Sequence, residues 1–369
     1  MKFHSDMQNI IYKGAVNSLS FGNVSVNLLR EMFKKNINVT FFPIGENLDF
    51  EAFDKLSPEF KNWVIHSAEN RFNTISKDYP TLSQWHINNS ENRLSKNQTL
   101  LTFYEVDQPT GVEKSIVNLQ DNTCFSSKHA YQAFKESGCN NIHHVPIGFD
   151  SDFHTTGKTY LEDVIHFGLM GKLEKRKNTA FILKSWAKKY GNNYKYQLSC
   201  CINNPFFKPE DMNNIINKIL EGKKYGNINF LPRLKTNSEV NEFINSIDID
   251  LSGLSGAEGW NLPSFNATAL GKWSIVMNHT SHKDWATSKN SILVEPDSLE
   301  EIYDNTFFHK GASFNQGNYN VISEDSIISA FEKSEKKYGK TNPEGLKLQS
   351  KFTYEKTLNN ILKIITNEK

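Results

Sequence analysis

Apolar and polar positions along the chain switch repeatedly between two periods. Asn9 to Tyr12 is a short apolar run, and Gly14 to Gly22 is small and polar. From Asn23 the apolar positions Val26, Leu29 and Phe33, with Leu28 and Met32 beside them, recur at helical spacing. Asn36 closes that helix, and Val39 to Phe42 is a β-rich run. Strand, helix, strand in this order is a βαβ unit and predicts a parallel sheet. Residues 51–80 read as short helices and polar loop. Beyond them the pattern predicts strands at 82–87 and 99–104, a helix at 112–119 and a strand at 123–126. A helix at 128–137, closed by Gly138, and a strand at 142–145 follow.

Pro146 to Tyr160 has no period and reads as a linker. The alternation then restarts. Strands are predicted at 164–169, 194–200, 228–231, 247–251 and 273–277, with helices at 179–190, 212–220, 240–244 and 263–270 between them. Two late helices, 323–337 and 348–367, close the chain. The last carries Leu358, Ile361, Leu362 and Ile365 at helical spacing. The expected architecture is α/β, with two Rossmann-like doubly wound domains facing a cleft. Residues 1–150 form the first domain and 151–345 the second, and 346–369 form a helix packing back toward the first. Ligands in such sheets bind at the carboxyl ends of the strands, so the cleft is the expected active site.

Charge narrows the partners. Lysine and arginine total 42 against 41 acidic residues, a formal net charge of +1 over 369 residues. Polyanions are therefore not held by bulk charge, although a local basic patch is still open. Cys124, Cys139, Cys200 and Cys201 form no CxxC pair and no zinc spacing, so free thiols in a reducing cytoplasm are expected. No run reaches the roughly 18 apolar residues of a membrane span. The opening Met1-Lys2-Phe3-His4 lacks the layout of a signal peptide.

Two segments of the second domain carry candidate chemistry. Gly171-Lys172-Leu173-Glu174-Lys175-Arg176-Lys177-Asn178 follows a predicted strand and opens a helix. Helix N-termini attract anions, and Lys172 and Lys177, five apart, suit a diphosphate. A merely solvated basic loop is the alternative. Gly256-Ala257-Glu258-Gly259-Trp260-Asn261-Leu262-Pro263-Ser264-Phe265-Asn266 also lies between a strand and a helix. Gly259 permits close backbone approach, Asn261 suits a cap, and proline favours a helix start. Glu258 beside a phosphate site makes sense if it binds hydroxyls, and a sugar attached to a diphosphate meets both demands. An ordinary capped turn is the alternative here. Asp248-Ile249-Asp250 and Asp150-Ser151-Asp152 do not follow the arrangement expected for a magnesium ion bridging phosphates, so no metal and no cofactor is expected.

These residues carry a resemblance. Gly171–Asn178 resembles the phosphate loop of retaining GT-B glycosyltransferases of the large family four (glycosyltransferase group 1). Glu258-Gly259-Trp260-Asn261-Leu262-Pro263 is similar to that family's glutamate motif, and Ala269-Leu270-Gly271-Lys272-Trp273 to the helix end that follows it. Thr102–Pro109, Phe125-Ser126-Ser127 and Val145–Asp150 are similar to segments of its first domain, in the family's order. The resemblance implies that Lys172, where the family usually has arginine, and Lys177 neutralise the departing diphosphate. It implies that Glu258 holds the donor sugar. The family's second glutamate is Asn266 here, and an amide still has a donor and an acceptor for a ribose. Gly22 and Gly171 would approach the donor phosphates, as would the helix start at Asn261 and Leu262. Arg233 would flank the base, and Trp260 would stack on a sugar or base. Glu105 and Asp107, together with His86, become candidates for acceptor contact.

The expected activity is retaining transfer of a sugar from a nucleoside diphosphate sugar, a UDP-sugar first, to an acceptor hydroxyl. The acceptor is a saccharide, free or lipid-linked, or a hydroxymethylated pyrimidine base in phage-type DNA. A non-catalytic nucleotide-sugar-binding protein is the rival, on the strength of Asn266. A dinucleotide oxidoreductase is disfavoured, because no GxGxxG follows the first strand. No feature of the sequence fixes an oligomeric state.

Overall fold

In the computed structural model, which describes residues 9–367, the first apolar run is β1 (Asn9–Gly14), whose Ile10, Ile11 and Tyr12 are fully buried. A strand covered on both faces must read as a continuous apolar run, and this one does. α1 (Ser20–Lys34) and β2 (Asn38–Pro43) complete the βαβ unit. α2 (Pro58–Glu69) starts on Pro58 with the Ser57 hydroxyl accepting from the Phe60 N–H, and the single turn α3 (Arg71–Thr74) follows. Then come β3 (Thr81–Gln84), β4 (Gln98–Thr102), α4 (Gly111–Leu119), β5 (Asn122–Phe125), α5 (Lys128–Glu136) and β6 (Ile142–His144). Their sheet is parallel throughout, in the order β2-β1-β3-β4-β5-β6.

The second sheet is built the same way. Its elements are β7 (Ile165–Met170), α6 (Thr179–Tyr190), β8 (Tyr196–Cys201), α7 (Pro209–Ile219), β9 (Ile228–Phe230) and α8 (Asn237–Ser246). β10 (Ile249–Asp250), α9 (Leu262–Ala269), β11 (Trp273–Met277), the turn α10 (His282–Trp285) and β12 (Ser291–Val294) continue it. The order is β12-β11-β10-β7-β8-β9, again parallel. Its core joins Phe167, Trp186, Tyr190, Leu198, Ile249, Ile275 and Phe331. An antiparallel pair, β13 (Ser298–Glu301) with β14 (Asn318–Val321), follows, and then α11 (Glu324–Glu335) and two turns, α12 (Pro343–Leu346) and α13 (Leu348–Lys351). The helix α14 (Tyr354–Ile365) ends the described chain.

The chain divides into two units. Unit 1 takes the residues up to Asp150, the segment 313–315 and the chain from Phe352 onward, while unit 2 takes 151–312 and 316–351. Residues 346–351 therefore lie in unit 2, and α14 lies in unit 1. Within unit 1 the returning chain is held closely. The Phe149 N–H donates to the Phe352 carbonyl at 2.9 Å. A Cβ on Gly148 would stand 2.2 Å from the Tyr354 nitrogen, so only glycine fits there. Leu358, Ile361, Leu362 and Ile365 are the buried face of α14.

Gly22 departs from expectation. It is not in the loop after β1 but in the first turn of α1, which begins at Ser20. Its open side is filled, since a Cβ there would be 2.1 Å from the Asn17 carbonyl oxygen. The loop is short because Leu19 already occupies the N-cap position. β12 and the β13–β14 pair add strands where the periodicity indicated none. All four cysteines are free thiols, and among the described residues no helix is long and apolar enough to cross a membrane.

Candidate functional site

Sheet order creates the site in unit 2. β7 and β10 are neighbours although they are far apart in sequence, so the loops leaving their carboxyl ends meet. Gly171 opens the first loop at φ +142°, a conformation that disfavours any side chain. Residues 175–177 form a tight helical turn, and Asn178, at φ +56°, starts α6. The Asn178 amide donates to the carbonyls of Leu254 (3.0 Å) and Asn320 (3.2 Å). The Gly256 N–H donates to the Arg176 carbonyl at 2.7 Å. The two loops are thus laced together by the Asn178 side chain and a backbone bond.

Glu258 lies at the centre, 5% exposed. Lys177 Nζ donates to its Oε1, and Arg176 Nη1 stands 3.4 Å from its Oε2. Arg176 also pairs with Glu174 at 3.0 Å and donates to the Ala257 carbonyl at 2.5 Å. Burial pushes the Glu258 carboxyl up. Lys177 and Arg176, with a hydrogen bond from Ser255, outweigh it and hold the group at about 2. The site therefore carries a carboxylate that is ionised at neutral pH and flanked by two cations. Sequence spacing singled out Lys177 and Glu258. It passed over Arg176 and Glu174, which the same charged loop contains.

The start of α9 is fixed by Asn261, in the left-handed region at φ +66°. Its Oδ1 accepts from the Ser264 N–H at 3.3 Å. Its Nδ2 donates to the Ser252 carbonyl and meets His282 Nε2, each at 2.9 Å. His282 Nδ1 is 2.8 Å from the Met277 carbonyl, so that nitrogen carries the proton and Nε2 accepts. Burial drives this imidazole down to about 4, against the pull of Glu258. The Asn261 side chain is thus committed to the fold. Trp260 corrects an expectation, because its ring is not presented for stacking. It is 2% exposed and packs edge-on against Phe265 at 5.3 Å, since a loop laid over α9 needs a core of its own. Asn266, 7% exposed, keeps its Oδ1 buried without a hydrogen-bond partner among the described residues.

Outward from β7, Lys172 Nζ lies over the Phe206 ring, 5.2 Å from its centroid. Arg233 is exposed in the loop after β9. A groove of about 490 Å³ runs along α8 past Leu231, Leu234, Glu239 and Glu242, and it shares no residue with the two laced loops. The Asp-x-Asp triplets are structural. Asp248 accepts from the His166 N–H and Asp250 from the Ser264 hydroxyl, at 2.8 and 2.7 Å. Asp150 is bound by Asn27 and Asp152 by Asn237, both at 2.9 Å. Among the described residues no cluster of histidine, cysteine and acidic side chains is placed to hold a metal ion.

In unit 1 the candidates follow adjacent strands. His86 comes just after β3, exposed, with its ring 4.3 Å from that of Phe21. Glu105 and Asp107 are half-buried in the loop after β4. Gly22 follows Phe21, the α1 residue whose ring meets His86. Gln84, which no motif marked, ends β3 fully buried, with both amide atoms lacking a partner among the described residues.

Two parallel six-stranded sheets with helices between their strands are the GT-B fold, and the chain adopts it. It is similar over 98% of both chains to a sucrose-phosphate synthase from Thermosynechococcus elongatus, at 12% identity and a TM-score of 0.69. Anabaena HepE, solved with UDP and glucose, matches 98% of this chain and 100% of its own, at 10% identity and a TM-score of 0.63. An α,α-trehalose 6-phosphate synthase from Burkholderia multivorans matches at 10% identity over 98% and 99% of the two chains, with a TM-score of 0.61. No protein-family model and no curated protein matches the sequence.

Proposed function

We propose that the chain is a retaining glycosyltransferase that uses a nucleoside diphosphate sugar, a UDP-sugar first. One observation carries the reading. An ionised, buried Glu258 sits between Lys177 and Arg176 where the loops after β7 and β10 meet the start of α9. That arrangement suits a ligand with hydroxyls at one end and a diphosphate at the other. The HepE structure, holding UDP and glucose on the same fold, supports the choice of donor.

In this reading Glu258 accepts hydrogen bonds from sugar hydroxyls. Lys172, Lys177 and the Leu262 N–H at the opening of α9 stabilise the charge that gathers on the departing phosphate. The bond from the anomeric carbon to the phosphate oxygen breaks as a bond to the acceptor oxygen forms on the same face. The acceptor proton passes to the departing phosphate, so no side-chain base is required. Positive charge comes from the lysines rather than from a metal. Arg233 would contact the base and Asn266 the ribose, and His86, Glu105 and Asp107 are the candidates for acceptor contact.

The test is nucleotide release from UDP-, GDP- and ADP-sugars, with saccharide acceptors or hydroxymethylated duplex DNA, and the anomeric configuration of the product. Lys172→Ala is expected to slow release by about 100-fold, the usual cost of losing one preorganised group opposite developing charge. Release that rises only with the modified DNA assigns the base as acceptor. An inverted product overturns retention. Nucleotide binding with no release from any donor overturns transfer and leaves a binding protein.

A further inference from the structure

Phe206 is a large apolar side chain held in water. It is 63% exposed at the tip of the loop after β8. Its position is nonetheless fixed. The Phe206 N–H donates to Asn204 Oδ1 at 3.1 Å, and the fully buried Asn204 donates through Nδ2 to the Leu173 carbonyl at 3.1 Å. The Leu173 N–H donates to the Ile202 carbonyl at 3.0 Å. The ring also meets that of Phe307 at 5.7 Å, nearly edge to face. The loop after β8 is therefore anchored on the basic loop after β7, and Lys172 rests on the ring it presents.

Strand order gives this placement a meaning. Across the sheet run β10, β7, β8 and β9, about 5 Å apart. The loops leaving them carry Glu258, then Lys172 and Lys177, then Phe206, then Arg233. A nucleoside diphosphate sugar has its groups in the same succession, sugar, diphosphate, nucleoside. With the sugar at Glu258 and the diphosphate at the lysines, the nucleoside extends over the ends of β8 and β9.

We propose that Phe206 is the platform on which the donor's nucleobase stacks, and that Lys172 covers it until the donor arrives. An ammonium over an aromatic face is held by the ring quadrupole, and a diphosphate attracts it more strongly. Donor binding draws Lys172 onto phosphate and uncovers the ring for the base. The cation and the aromatic thus act in exchange, and the exposed phenylalanine is a nucleoside-binding residue. The proposal rests on the donor reading given above.

Calorimetric titration with UDP, GDP, ADP and inorganic pyrophosphate tests it. Phe206 is exposed, so Phe206→Ala is expected to fold normally. It should weaken the preferred nucleoside diphosphate about tenfold, within the range measured for base–aromatic stacks, and leave pyrophosphate binding no weaker, since loss of the ring only frees Lys172. Lys172→Ala should weaken both. Phe206→Trp should restore nucleotide affinity, with indole fluorescence quenched by the nucleotide and not by pyrophosphate. A Phe206→Ala variant that binds nucleotide within twofold of wild type overturns the platform alone. Failure of all three nucleotides to bind wild type overturns the donor reading and the platform with it.

Discussion

His282 is buried and neutral inside unit 2, and that burial sets a pH dependence at a single residue. The imidazole falls from about 6.5 in the unfolded chain to about 4 in the fold, because burial disfavours its charged form. Between those values the unfolded chain binds a proton that the fold does not, so stability falls as pH drops from about 6.5 and levels off near 4. The shift corresponds to roughly 3 kcal/mol at most. Asp248 and Asp250, which burial raises, act in the opposite direction but are common to wild type and variant. His282→Gln should therefore lose less stability than wild type between pH 7 and pH 4.5 in urea unfolding. Equal losses would show that the histidine does not titrate as its surroundings require. None of this was visible in the sequence, where His282 is one of eleven histidines with no motif around it.

The opening of α9 shows how an element binds its own geometry to the site. Asn261 caps the helix, donates twice inward and holds a left-handed backbone that asparagine and glycine tolerate best. Asn261→Gly loses the side-chain bonds only, whereas Asn261→Ala adds about 1–2 kcal/mol of backbone strain. Denaturant unfolding should rank wild type above Gly and Gly above Ala, and an alanine variant as stable as glycine would remove the strain from the account. Asparagine before Leu-Pro was legible as a cap. Its inward bonds were not, because they need the 252–254 turn and α10 in place. The same limit explains the other differences. Strands such as β1 and β11 are built around apolar runs, Ile10–Tyr12 and Ile275–Met277, and announce themselves. β13 is Ser-Leu-Glu-Glu, wholly exposed, and has no burial to impose a period. Trp260 looked like a loop aromatic because only the packed structure shows Phe265 beneath it. The pairing of Lys177 with Glu258 spans 81 positions and depends on β10 lying beside β7, which no local pattern encodes.

Over the whole molecule, the balance of charge bears on the choice of acceptor. Of the basic stretches that could follow a DNA backbone, 172–195 and 332–340, the first already has several of its lysines answered from within the chain. Lys188 and Lys189 pair with Glu324 and Glu332 of α11, and Lys175 donates to the Glu301 and Tyr303 carbonyls. Lys177 pairs with Glu258 and Lys172 lies over Phe206, and in the donor reading both are taken by the donor's diphosphate. Nucleic-acid affinity comes mainly from releasing counterions, and each phosphate contact needs an available cation. With a net charge of +1, unmodified duplex DNA should bind no more tightly than about 10⁻⁴–10⁻⁶ M at physiological salt. The dependence of log affinity on log salt should be shallow, with a slope well below that of proteins making six or more phosphate contacts. Fluorescence anisotropy of a labelled duplex across a salt series measures both. A steep slope with tighter binding would mean that these internal pairs open on contact with DNA, and would move the acceptor from saccharide to base. A shallow slope, with nucleotide bound in the same preparation, favours a saccharide over a DNA base as the acceptor.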